Sequence, residues 1–252
     1  MAYRGELLAA RDHLEQAIPL IETQYEPFRF ADALHPGVTA RAHAAMVLWA
    51  LGDRDGATRL TLDNLRFAEQ LTHPMGVTLS IYWAALIEVL RGDAAMTRQR
   101  SEEAIAIGSL RGFKNLAASC RVLRGWALAE LGEPEAGIAE ITESIETQRA
   151  MGFRMGIDFF LALLAQARCR AGQIKEALEA VDEALAEEEA VGAHLWQAEL
   201  LRLKGELLWA LSPDRTDEAE STLRRAIAIA TDQQAESMRQ RAEASLLRLF
   251  ET

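Results

Sequence analysis

Apolar and polar positions alternate along this chain with the period of a helix. From Ile174, apolar side chains fall at Ala177, Leu178, Val181, Ala184 and Leu185, the i, i+3, i+4, i+7 stripe of an amphipathic helix. A second pattern reads differently. The run "LSIYWAALIEVL" at 79–90 is apolar almost all round, as in a helix covered on every side. No stretch alternates with period two over the length of a strand. The pattern predicts an all-α chain of helices that differ in how deeply they are buried.

The breaks between these helices recur. Gly52, Gly92, Gly132, Gly172 and Ser212 lie 40 residues apart, in the contexts "ALGDRDGA", "LRGDAAMT", "LGEPEAGI", "AGQIKEAL" and "LSPDRTDEA". Seven residues earlier stand Ala45, Ala85, Gly125, Ala165 and Gly205. Only small side chains let two helix backbones approach closely, so this column predicts helix crossings. Beyond each break lie further small residues: Ala57, Thr97, Gly137 and Ala177 five positions on, and Asn64, Ala104, Ser144 and Ala184 twelve on. After a two-residue insertion, Ala219 and Ala226 continue both columns. Gly112, Gly152 and Gly192 form another column at the same spacing, suited to helix C-termini. A fixed period of this length is the mark of a solenoid of helical hairpins.

The repeats fall at about 38–72, 78–112, 118–152, 158–192 and 195–232. A half-hairpin is expected at 5–18 and a terminal helix at 234–250, all within one domain of 252 residues. The chain thus begins and ends on half a hairpin, which suits either a piece of a longer protein or two evolved caps. Between the half-hairpin and the first full repeat the spacing is 47. Pro19, Pro27 and Pro36 make a continuous helix over 19–37 unexpected. A loop or short helix packed by Tyr25, Phe28 and Phe30 is expected there.

Composition sharpens this picture. Ala, Leu and Glu dominate, and asparagine occurs only at Asn64 and Asn115, which favours helix. The net charge is −11, and no basic stripe is present, so nucleic acid is not an expected partner. No uncharged run is long enough to span a membrane, and a cytoplasmic location is expected. Cys120 and Cys169 lack metal-ligand spacing and read as buried free thiols. The five histidines form no ligand pair. His35-Pro36 and His73-Pro74 read as turns entering helices. No phosphate loop, nucleophile elbow or catalytic constellation is present, so neither enzymatic activity nor a cofactor is expected.

The small-residue code, with its turn glycine and alanines on the second helix, resembles the tetratricopeptide repeat (TPR). The resemblance covers nearly the whole chain. It departs from that family in its longer unit and in lacking an aromatic early in the first helix, where Arg41, Ile81, Arg121, Leu161 and Leu201 stand. It implies a right-handed superhelical solenoid of antiparallel hairpins. The phrases "GELLAARDHLEQAI", "LRGWALAELGEPEAGIAEI" and "QAELLRLKGELLWALSPD" further resemble the C-terminal repeat region of large bacterial signalling proteins. Those join a class III adenylate/guanylate cyclase or a LuxR-type DNA-binding domain to an AAA-like ATPase and then to such repeats. This implies a regulatory or sensory module that binds a protein or peptide, or the attached signalling domains. A small-ligand sensor and a dimerising segment are the alternatives.

In TPR arrays the first helix of each hairpin lines the concave groove. Carried over, the groove positions are Met46 and Trp49; Tyr82, Leu86 and Val89; Val122, Trp126 and Glu130; Phe159, Gln166 and Arg170; and Arg202, Glu206 and Trp209. The first half is apolar and aromatic, the second charged. The apolar half, with Trp126 at its centre, is the expected binding surface. The competing reading makes the same side chains core.

Overall fold

The computed structural model describes residues 1–24, 35–71 and 73–251. The expected packing of Tyr25, Phe28 and Phe30 lies outside the described residues. Among the described residues twelve α-helices follow one another: α1 (Leu7–Gln24), α2 (Pro36–Ala50), α3 (Arg54–Leu71), α4 (Pro74–Arg91), α5 (Ala94–Arg111), α6 (Lys114–Glu130), α7 (Pro134–Ala150), α8 (Ile157–Arg170), α9 (Ile174–Val191), α10 (Gln197–Leu211), α11 (Thr216–Asp232) and α12 (Glu236–Phe250). No strand occurs among the described residues. Each helix packs on its chain neighbours, and α2, α4, α6, α8, α10 and α12 also stack on one another in series. The chain is a solenoid of antiparallel helical hairpins.

Local chemistry sets the joints. Pro36, Pro74 and Pro134 occupy first helical positions, where proline's missing N–H costs nothing. The Asp93 carboxylate caps α5 by accepting from Met96 N at 2.9 Å. Gly92 ends α4 at φ 80°, a conformation that disfavours any side chain. There the Asp93 N–H reaches back to Glu88 O at 2.9 Å and closes a Schellman motif.

The small columns are crossings. A methyl built on Gly125 would lie 2.7 Å from Ile141 Cγ1 and 2.8 Å from Gly137 O, far inside van der Waals contact. On Gly205 it would lie 2.6 Å from Leu223 Cγ. The equivalent Ala45, Ala85 and Ala165 are buried.

Two features depart from expectation. Helix α1 continues through Pro19 to Gln24. Pro19 is exposed, so water can satisfy the carbonyl that loses its donor, and the interruption is tolerated. Cys120 is buried, but Cys169 is exposed, because the helix turn that carries it faces a surface cleft.

The solenoid closes on itself. Near the C-terminus, α12 packs against α2, and Ser237 Oγ donates to Trp49 O at 2.6 Å across 188 residues of chain. The Arg241 guanidinium lies 5.1 Å from the Trp49 ring centroid and donates to Leu90 O at 2.5 Å. That carbonyl lies at the C-terminal end of α4, where the helix dipole favours a cation. At the other end, Tyr3 O accepts from His194 N at 2.7 Å. The His43 ring places Nδ1 2.8 Å from Thr39 O and Nε2 3.2 Å from Tyr3 Oη. A carbonyl can only accept, so Nδ1 donates and the Tyr3 hydroxyl donates to Nε2.

Candidate ligand cleft

Closure divides the expected groove in two. Met46, Trp49, Leu86 and Val122 are buried at 3% exposure or less and belong to the hydrophobic core. Tyr82 and Trp209 are half-buried and pack against the core. The apolar half therefore does not form an open trough. Its side chains are core or packed against it, and Arg241 of α12 lies over Trp49.

What remains open is a cleft of about 300 Å³ formed by α4, α6, α8, α10 and α12. Val89, Trp126, Glu130, Phe159, Gln166, Arg170 and Arg202 of the expected set line it. Glu206 lines an adjoining hollow of about 290 Å³ that shares Glu130, Gln166, Arg170, Arg202 and Arg248. The 40-residue period positions these groups, because equivalent residues of successive hairpins stand side by side. Trp126 Nε1 donates to Gln166 Oε1 at 3.1 Å, and Arg170 grips both oxygens of Glu130 at 2.9 and 2.7 Å.

The floor and one wall are apolar. Phe159 lies against Trp196 with ring centroids 4.7 Å apart, beside Val89, Leu90, Ala162 and Leu163. Trp126 is only 4% exposed, so it shows an edge to the cleft and is otherwise core.

The rim is a ladder of ion pairs. Arg202 bonds Glu199 at 2.6 Å and Glu206 at 2.7 Å. Arg241 reaches Glu199 at 3.3 Å, and Arg248 reaches Glu206 at 2.5 Å. Ser245 Oγ donates to Glu206 at 2.6 Å. Burial alone would raise the Glu199 carboxyl, but Arg202 and Arg241 outweigh it and hold the group at about 2. Burial likewise opposes ionisation of Glu206, and Arg202, Ser245 and Arg248 bring it below the usual carboxylate range. Four guanidinium groups line the first cavity against two carboxylates, and three once Glu206 is included. The cleft is a locally positive site in a chain of net charge −11.

Glu199, Trp196, Arg241 and Arg248 were not legible as site residues. Trp196 lies within the fifth expected repeat but outside its groove positions, immediately before α10. Arg241 and Arg248 sit on what reads as a terminal cap. Their seven-residue spacing, which puts them two turns apart on one face, was the available signal. No group of residues able to hold a metal ion occurs among the described residues. No described helix is long and apolar enough to cross a membrane.

No family model matches the sequence. An uncharacterized protein of Rhizobium meliloti (strain 1021) is 25% identical over 205 residues, which are 81% of this chain and 20% of that protein. The chain thus spans about a fifth of that relative's length. Among solved structures, a Rap protein complexed with competence and sporulation factor superposes with a TM-score of 0.68 at 12% identity, covering 97% of this chain and 74% of that one. Bacillus thuringiensis PlcR, in complex with the peptide PapR7 and DNA, gives 0.64 at 14% identity over 96% of this chain and 84% of its own. A Pyrococcus horikoshii signal transduction ATPase with numerous domains and a tetratricopeptide repeat sensor gives 0.54 at 14% identity over 94% and 36%. The fold is that of the TPR-like helical repeat proteins.

Proposed function

We propose that this chain is a non-catalytic regulatory scaffold that binds a peptide or protein segment in the cleft between α4, α6, α8, α10 and α12. The observation that carries this is the cleft itself. An aromatic and aliphatic floor lies under a positively biased rim, built from the first helices of consecutive hairpins on a preformed, closed frame. A concave site with an apolar base and a few convergent polar groups is the common form of a binding site. Two structural neighbours, Rap and PlcR, were solved with competence and sporulation factor and with the peptide PapR7, which supports the reading. That the chain aligns with a fifth of its Rhizobium relative and a third of the Pyrococcus ATPase supports a module within a larger signalling protein. A cyclase- or LuxR-type output domain remains the expectation from the resemblance.

Selection of displayed random peptides on the purified chain tests this. Peptides should be enriched on the wild type and lost from Arg170→Ala and Gln166→Ala, two side chains outside the tight core. Enrichment that both variants retain would place binding elsewhere and remove the cleft from the proposal.

A further inference from the structure

We propose that the cleft captures a carboxylate joined to an apolar side chain, with Arg170 and Arg248 as the groups that take the anion. This rests on the cleft being the binding site and adds which chemistry it selects.

The rim is built for carboxylates. Arg170 already holds one in the two-pronged geometry that a guanidinium offers, at 2.9 and 2.7 Å. Arg202 and Arg241 are fixed. They are half-buried and share Glu199, with Arg202 also on Glu206 and Arg241 also on Leu90 O. Arg170 and Arg248 differ, being 60% and 57% exposed. Each is held by one carboxylate, Glu130 or Glu206, at the surface end of the ladder. Among the described residues, Arg170 gives only Nε and Nη2 to Glu130, and Arg248 only Nη2 to Glu206 and Ser245, so Nη1 of each is left to donate to a ligand carboxylate without displacing either glutamate. Three carboxylates against four guanidiniums leave room for one more negative charge. The Phe159 and Trp196 rings, tilted 33° to one another, lie on the wall of the same cavity, where the side chain attached to that anion would be buried.

Two sources present this chemistry: the C-terminal residue of a peptide, and a free hydrophobic amino or carboxylic acid. Their shared feature is one anionic oxygen pair beside one apolar group.

The site supplies its own readout, because Trp126 and Trp196 both line it. Tryptophan emission of the full 252-residue chain is titrated at low salt with N-acetyl-phenylalanine, its amide, phenyl phosphate, and acetyl-triglycyl-phenylalanine with a free C-terminus. The free acid should bind saturably and at least tenfold more tightly than the amide. Arg248→Gln and Arg170→Gln should each weaken it about tenfold without changing the amide. These variants lie on exposed side chains, and an unchanged thermal melt confirms folding. Tighter binding of the tetrapeptide assigns the site to a peptide end; tighter binding of the single residue assigns it to a small acid. Equal affinity for acid and amide would overturn the carboxylate assignment and leave the cleft as a binding site. Tighter binding of phenyl phosphate, or no response to any probe at millimolar concentration, would also overturn it. Peptide selection that depends on the cleft but is indifferent to the terminal carboxylate would separate its failure from that of the binding scaffold.

Discussion

Among single residues, Glu188 makes the sharpest demand on the fold. It is 1% exposed. One carboxyl oxygen accepts from Trp196 N at 3.0 Å, and the other has no partner among the described atoms. Burial, with the nearby Asp158 charge, pushes its pKa up to about 8. In the unfolded chain the group ionises at the ordinary value of 4.5. Between those values the folded protein keeps a proton that the unfolded chain has released, so this group's contribution to stability is lost as pH rises toward 8. Glu188→Gln keeps the acceptor for Trp196 and removes the charge. Its Tm should exceed that of the wild type at pH 8.5, with the gap shrinking toward pH 5. An equal gap at both pH values would contradict the assignment. Trp126 poses the complementary case. It is nearly enclosed, so Trp126→Ala should cost about 3–5 kcal/mol, and the wild-type side chain should resist acrylamide. Strong quenching of Trp126 emission, with an unchanged urea midpoint in the variant, would return it to an open groove.

At the scale of elements, the crossings and the last helix decide the architecture. Gly125 lets α6 approach α7 so closely that a single added methyl meets both Ile141 and a backbone carbonyl. Gly125→Leu should therefore lower stability by about 1–3 kcal/mol or more through overpacking, read as a fall in urea midpoint. An unchanged midpoint would contradict the crossing. Helix α12 is the sixth member of the stack of even-numbered helices and also the bridge to the first two repeats, through Ser237 to Trp49 and Arg241 to Leu90. Removing residues 236–252 should expose Trp49 to acrylamide and lower Tm. If the truncated chain keeps the wild-type Tm and quenching, closure through α12 contributes nothing. These two predictions differ in kind. The first concerns contact between neighbours in sequence, the second contact between the two ends of the chain.

Taken whole, the molecule shows why some of it could be read in advance. Period, small-residue columns and turn glycines determined that the chain is an all-α hairpin solenoid, because each is a local requirement. A helix must end where glycine adopts a left-handed backbone, and two helices can touch only where side chains are small. The same period placed Trp126 beside Gln166 and Glu130 beside Arg170, since residues 40 apart in a regular stack are neighbours. Curvature was not legible. It accumulates from small rotations between repeats, and no column encodes their sum. Only the tertiary structure decided that the superhelix closes within one turn. That closure lays Arg241 over Trp49 and brings Arg241 and Arg248 to the rim. Of the side chains that read as an aromatic groove, Trp49 is covered where α12 returns to α2, and Met46, Leu86 and Val122 are core. The charged half closes only in part: Glu199 and Arg202 satisfy one another inside the protein, while Arg170 and Arg248 stay hydrated at its outer end, because burying a charge without a full set of partners costs more than it returns.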